Sequence, residues 1–390
     1  MQYSNRITKL GTEGAFAVLA KAKAMEAEGR SIIHLQIGEP DFETPKNISE
    51  AGVKALWDGE THYSASGGVP AARQVVADYY RAERQMEIGP ENVIIMPGAK
   101  PVIYTALCAT INEGDEVIIP NPGYPTYESV VNYLGATPVF YNLLESKDFR
   151  FDVEELKALV SSKTKMIVIN SPENPTGGML TREDLEAIYE LAERHDLWIL
   201  TDEIYSRIVY DVKFQSIGAI PGAMDRTIIV DGMSKTYAMT GWRLGYGIMP
   251  PKMADYLFTM AVNNFSGTCT FAQHALIEAL TGPQGAINKM VAEFKRRREV
   301  IVNGLNKIDG ITCLNPVGAF YVFPNITGTG LTSEQFADKM LDEAGVAILA
   351  GTAFGSAGQG YVRFSYANSV ENIQEALGRI EKTLAGVKQV

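Results

Sequence analysis

Lys235 and Arg243 stand eight positions apart in Ser234-Lys235-Thr236-Tyr237-Ala238-Met239-Thr240-Gly241-Trp242-Arg243-Leu244-Gly245, with several small residues between them and glycines on either side of the arginine. A lysine amine is a weak nucleophile until its pKa is lowered. It then condenses with carbonyl compounds to form Schiff bases. An arginine nearby can grip a phosphate with its planar fork of donors. Read alone, the stretch is equally a Gly-rich hairpin with an incidental lysine, so the rest of the chain has to choose between the two.

Five further stretches bear on that choice. Asp202 follows an apolar run in Thr201-Asp202-Glu203-Ile204-Tyr205. On its own it reads as an acidic helix cap. Asn170-Ser171-Pro172-Glu173-Asn174-Pro175-Thr176-Gly177 is a rigid Asn-Pro turn that presents an amide. Pro97-Gly98-Ala99-Lys100-Pro101 joins a strand to a helix. Its small residues let the backbone approach a phosphate, and free N–H groups at a helix start bind anions. Tyr124, in Asn121-Pro122-Gly123-Tyr124-Pro125, is an aromatic after a strand, open to a core or a stacking role. Arg363 lies inside the apolar Tyr361–Phe364 strand and needs a partner there. That partner is either an internal acid or the carboxylate of a ligand, which the guanidinium fork fits best.

Together these motifs resemble the class I/II aminotransferases, fold-type I enzymes that use pyridoxal 5'-phosphate (PLP). The likeness runs from about residue 30 to 385, in the family's order. It implies Lys235 as cofactor anchor and as the general base and acid at the substrate Cα. It implies Asp202 at the ring nitrogen, and Tyr205 and Asn174 at the ring hydroxyl. Gly98, Ala99, Lys100, Ser234 and Arg243 fall around the phosphate, and Tyr124 against the ring. Arg363 takes the substrate α-carboxylate, with Gly38 and Asn174 close by. Tyr63 matches a tyrosine donated to the neighbouring subunit's phosphate, which implies a homodimer with shared sites. Amino acids and 2-oxo acids are the implied substrates, with 2-oxoglutarate or pyruvate as acceptor. Lys100 either receives a distal carboxylate or balances the phosphate. Glu13 either enters the site or is a favourable acid in the first turn of its helix. A PLP lyase would use the same residues; a PLP-binding regulatory module usually carries a DNA-binding extension, for which this chain has no spare residues.

The elements that must hold these residues alternate. Strands at 93–96, 116–119, 137–141, 166–169, 198–200, 227–230 and 245–248 are apolar throughout, with helices between most of them. That pattern predicts an α/β fold whose mostly parallel sheet is covered by helices on both faces. Ligands in such folds sit beyond the carboxyl ends of the strands, where most of the candidates fall. A helix over 12–29 with Thr12 as cap, a helix starting at Thr44-Pro45, one from 70 to 86 and a long one over 283–307 are also expected. In the last, Lys295-Arg296-Arg297-Arg298 reads as a solvated face. The remainder reads as a smaller α+β unit, including single strands over 346–349 and 361–364. The division is 46–285 for a large PLP-binding domain, and 1–45 with 286–390 for a small one.

The chain has 390 residues, 46% hydrophobic and 21% charged, with net charge −11. The charge argues against non-specific nucleic-acid binding and anionic membrane surfaces. No apolar run reaches a membrane span, and residues 1–10 hold no signal-peptide core. Cys108, Cys269 and Cys313 are widely spaced and read as buried thiols in a reducing, cytoplasmic setting. Four scattered histidines form no metal motif.

Overall fold

The computed structural model describes residues 2–386; the outermost ends of the expected small domain, residues 1 and 387–390, lie outside them. After the short β1 (Ile33–His34), seven strands share one sheet: β2 (Val93–Met96), β3 (Glu116–Asn121), β4 (Thr137–Asn142), β5 (Thr164–Asn170), β6 (Trp198–Asp202), β7 (Thr227–Gly232) and β8 (Gly245–Ile248). Their order is β2-β8-β7-β6-β5-β3-β4. Only β8 runs against its neighbours. The expected mostly parallel α/β sheet is therefore present.

Alternation along these strands divides the core between two faces. Met96, Val168, Leu200, Ile228 and Val230 pack with Val102, Leu107, Tyr127, Val131 and Leu257 from helices over one face. Ile95, Ile229 and Tyr246 pack with Val76, Tyr80, Ala272 and Leu276 over the other, and Ile167 and Ile199 pack there with Leu185 and Ile188. Burial on both faces explains why the strands read as continuous apolar runs rather than alternating ones.

The remaining strands are β9 (Tyr321–Val322), β10 (Val346–Ala347), β11 (Leu349–Ala350) and β12 (Val362–Ser365). β1 pairs with β10, and β11-β12-β9 form an antiparallel sheet. Phe294, Ile301, Ile373 and Ile380 pack beside them from the helices Gly285–Leu305 and Val370–Ala385.

Five local expectations change. Residues 346–349 are not one strand: β10 and β11 join different sheets, with Ile348 between them. The first long helix starts at Gly14, and Glu13 rather than Thr12 holds the cap position. Thr44 does not cap the helix Lys46–Trp57; its hydroxyl donates to the Ala238 carbonyl at 2.7 Å instead. In the basic run Arg296 is exposed, whereas Arg297 and Arg298 are buried. Arg297 bonds Asp41 at 2.7 Å and Glu293 at 2.9 Å, and Arg298 bonds Asp211 at 3.1 Å and the Pro316 carbonyl at 2.9 Å. Buried charge persists there because every one is paired. Of the cysteines only Cys313 is buried; Cys108 is half-buried and Cys269 exposed. Helices Pro251–Asn264 and Thr270–Thr281, which the sequence reading left unassigned, cover the two faces of the sheet. No helix among the described residues is long and apolar enough to cross a membrane.

Candidate active site

Parallel register brings the candidates together. Asn170 at the end of β5 is paired with Asp202 at the end of β6, and Asp202 with Val230 near the end of β7. Ser234 and Lys235 follow two and three residues beyond β7. Because β8 is antiparallel, its first residue Gly245 pairs with both Met96 and Gly232. The one reversed strand thus returns Arg243 to the edge that Lys235 has just left, beside the loop after β2. Gly98 there has φ +106, and a Cβ on it would lie 2.5 Å from Arg243 Nη2. Glycine is required on both counts.

These residues line a cleft of about 380 Å³. It contains Gly38, Ala99, Lys100, Tyr124, Asn174, Asp202, Tyr205, Ser234, Lys235, Arg243 and Arg363. Gly98 sits just behind its lining as cap of the helix Ala99–Thr110. Tyr63 does not reach it; its side chain is 95% exposed.

Lys235 Nζ donates to the Gly38 carbonyl at 2.5 Å. Burial lowers its pKa to about 8; Glu39 and Glu13 oppose that shift, and Arg363 and Arg243 add to it. An amine so placed is partly neutral near physiological pH, as a nucleophile and proton carrier must be. Asp202 accepts from the Tyr127 hydroxyl at 3.0 Å and from the Ile204 N–H at 3.2 Å. Burial nevertheless raises its pKa to about 6. A carboxylate held this way lacks a cation, and a protonated ring nitrogen is one.

Arg363 is 4% exposed. Its Nη1 donates to Asn174 Oδ1 at 2.9 Å and its Nη2 to the Gln36 carbonyl at 2.5 Å, while Nε has no partner. The guanidinium lies over the rings of Tyr321 and Phe354 at 4.5 and 4.9 Å. No acid pairs with it among the described residues, so of the two readings of this arginine the internal salt bridge is excluded. A buried guanidinium that lines a cleft and has no acid partner is set for a carboxylate. Tyr205 shares a 2.8 Å hydrogen bond with Tyr321. Glu13 does enter the site: its Oε1 accepts from Lys100 and, at 2.9 Å, from the Tyr124 hydroxyl.

Sequence reasoning missed Tyr127, Tyr321 and Phe354. Tyr127 lies three residues after Tyr124, a spacing that places both on one side of a helical turn, so it was within reach. Tyr321 carried no local signal. Its hydroxyl would lie 2.2 Å from a Cβ at residue 38, so this tyrosine is why Gly38 must be glycine.

The residues fit pyridoxal phosphate: a buried amine of lowered pKa, a carboxylate short of a cation, and an arginine over a glycine loop at a helix N-terminus. Comparisons agree. The family profile described as aminotransferase class I and II matches residues 30–380. An aspartate aminotransferase of Pyrococcus abyssi is 42% identical over 359 residues, covering 91% of this chain and 92% of the relative. A (5-formylfuran-3-yl)methyl phosphate transaminase of Methanocaldococcus jannaschii is 41% identical, covering 98% and 99%. The solved aromatic aminotransferase of Pyrococcus horikoshii OT3 superposes with TM-score 0.90 at 40% identity, covering 94% of this chain and 100% of that one.

Proposed function

We propose that this chain, which belongs to the class I and II aminotransferase family and is a PLP-dependent transaminase, passes the amino group of an L-amino acid to a dicarboxylic 2-oxo acid, 2-oxoglutarate. Bound PLP supplies an aldehyde that takes up the amino group and a ring that accepts the electron pair released at Cα. The protein does the rest. Arg363 holds the α-carboxylate, beside the Asn174 amide. Lys235 anchors the cofactor, then carries the Cα proton away and back. Asp202 keeps the ring nitrogen protonated, and Tyr205 and Asn174 orient the ring hydroxyl. Arg243, Ser234 and the N–H groups of the Gly98-Ala99-Lys100 turn hold the phosphate, while Tyr124 lies against the ring.

The observation that carries the choice of acceptor is a cation in the cleft that neither the phosphate nor the α-carboxylate requires. With Arg363 given to the α-carboxylate, Arg243 to the phosphate and Lys235 to the cofactor aldehyde, Lys100 is the remaining basic residue lining the cleft. A lysine is a flexible point charge that attracts a second carboxylate without strict geometry. The test compares wild type with Lys100→Ala on 2-oxoglutarate and on pyruvate. A loss of about tenfold in kcat/KM for 2-oxoglutarate alone supports the reading; equal losses on both would assign Lys100 to the phosphate. Amino nitrogen should appear as a new amino acid; ammonia released without an acceptor would mark a lyase.

A homodimer with shared sites belongs to the same reading, as do the boundaries 46–285 for the large domain and 1–45 with 286–390 for the small one. Tyr63 and Phe258 are both exposed. Exposed aromatic side chains of this kind suit a contact with a second copy. Mixing inactive Tyr63 and Lys235 variants should restore activity, because each hybrid dimer keeps one intact site. Three unpaired cysteines support a cytoplasmic setting.

A further inference from the structure

Lys100 is not free. Glu13 Oε1 accepts from both Lys100 Nζ and the Tyr124 hydroxyl, and Lys100 has no other acidic partner among the described residues. The Lys100 ammonium also lies 5.6 Å from the centre of the Tyr124 ring. Glu13 therefore places a carboxylate where the acceptor reading needs the substrate's own.

The setting of Glu13 allows it to leave. Its side chain caps nothing, although it occupies the cap position of the helix Gly14–Ala27. It is partly exposed, at 25%, and Lys100 more so, at 48%. Gly11 and Gly14 flank the Thr12-Glu13 pair, giving the backbone room to turn. On the far side of Glu13 and Lys100 lies a second cleft, of about 520 Å³, lined by Lys9, Thr12, Tyr104 and Ser129. Glu13, Phe16, Lys100, Pro125 and Ala353 line both clefts. The Glu13–Lys100 pair is thus part of the wall between them.

We propose that Glu13 is a built-in competitor for the distal-carboxylate position, one that Lys100 and Tyr124 hold when the substrate side chain is neutral and that a dicarboxylic substrate displaces toward the second cleft. Specificity then follows from exchange at one cation. With Glu13 in place, the distal end of the cleft is electrically balanced and accepts an apolar or aromatic side chain without leaving a charge unpaired. With a dicarboxylic acid, the substrate carboxylate replaces Glu13 on Lys100, and Glu13 reaches water. Affinity for the diacid is lowered by the free energy of the internal pair it must break. Pairs this exposed are weak, so the exchange is within reach of an ordinary substrate.

This inference rests on the acceptor reading above, and its test separates the two. Maleate, a four-carbon dicarboxylate with no amino group, is titrated by calorimetry into the PLP-loaded wild type, Glu13→Gln, Lys100→Ala and the double variant. Glutamine keeps the size of the side chain and removes the charge. Glu13→Gln is expected to tighten maleate about fivefold, the factor that an exposed pair's worth converts to. Lys100→Ala is expected to weaken it, and the double variant to match Lys100→Ala. The ratio of kcat/KM for aspartate over that for alanine should rise by a similar factor in Glu13→Gln, which a purely structural role for Glu13 would not produce. If Glu13→Gln leaves maleate unchanged or weaker while Lys100→Ala weakens it, the competitor role is overturned and the acceptor reading stands. If maleate affinity is the same in all four proteins, Lys100 does not receive a second carboxylate, and both fall.

Discussion

Asp202 and Asp231 are near twins. They stand at the carboxyl ends of neighbouring parallel strands, each is 5% exposed, and burial raises each pKa to about 6. Yet Asp202 pairs in register with Val230, so Asp231, one residue later, points to the opposite face of the sheet. Asp231 is closed in there by the Tyr80 hydroxyl at 2.6 Å, the Ser206 hydroxyl at 3.4 Å and the Gly232 N–H at 2.7 Å. Asp202 instead lines the cleft that holds Lys235 and Arg363. Burial and a raised pKa do not by themselves mark a working group. What separates the two is an open side: one carboxylate is completed by the protein, and the other awaits a partner.

The comparison breaks first at the amine. Lys235→Ala removes the group to which we assign both the anchoring of the cofactor and the carriage of the Cα proton. Half-transamination, followed as the change in the cofactor's visible absorbance, should fall by roughly 10²–10⁴-fold or more. Noncovalent cofactor binding should survive through Arg243, Asp202 and the Gly98 turn. Full activity in this variant would remove the whole distinction between the two faces.

The aspartates themselves come next. Asp202→Asn should cut kcat by on the order of 10²-fold, with a much smaller change in KM, because the loss lies in stabilising charge that develops during reaction. Asp231→Asn should instead lower folding stability by about 1–3 kcal/mol through its damaged hydrogen bonds, with kcat close to wild type. A KM-only effect at residue 202 would make it a structural cap after all. Cofactor-free protein adds a pH readout. A carboxyl whose folded pKa is raised from 3.8 to about 6 contributes stability that is present below pH 4 and lost as pH rises through 6. Each group carries up to about 3 kcal/mol of that dependence. With the cofactor bound, Asp202 gains a cationic partner and its share disappears, whereas that of Asp231 remains. Urea unfolding across pH 4 to 8, with and without cofactor, checks this.

Much of the site was legible because its residues sit at fixed offsets from strands that announce themselves. Asn170, Asp202 and Lys235 each follow an apolar run, and parallel pairing aligns those runs. Arg363 was legible as a charge inside a strand. What escaped was whatever depended on packing between distant segments. Tyr321 reaches Tyr205 and Arg363 only because β9 lies beside β12. Arg297 and Arg298 looked solvated because their partners, Asp41 and Asp211, lie 256 and 87 residues away. Helices Pro251–Asn264 and Thr270–Thr281 also went unread, and the break between β10 and β11 escaped because it depends on which sheet each short segment joins. The cap at Glu13 shows the same limit: Thr12 is the better capping residue, but the helix starts one residue later and Glu13 makes a distant contact with Lys100.

The smallest expected effects are also the sharpest test of the twin comparison, because they leave both carboxylates in place. Tyr127 donates one hydrogen bond to Asp202, and Tyr80 donates one to Asp231. Each bond favours the ionised carboxylate and holds the raised pKa down. Tyr127→Phe and Tyr80→Phe therefore remove the same kind of bond from the same kind of group, and each should cost about 1 kcal/mol. Where that cost appears should differ. Without Tyr127, Asp202 is a poorer partner for the ring nitrogen, so kcat should fall about fivefold, the factor that 1 kcal/mol represents, and the cofactor's absorbance should titrate at a shifted pH. Without Tyr80, the loss should appear in the unfolding free energy, with kcat and the cofactor's titration unmoved. A matching drop in kcat for Tyr80→Phe would show that the two faces of the sheet are coupled through β6 and β7, and that Asp231 belongs to the site after all.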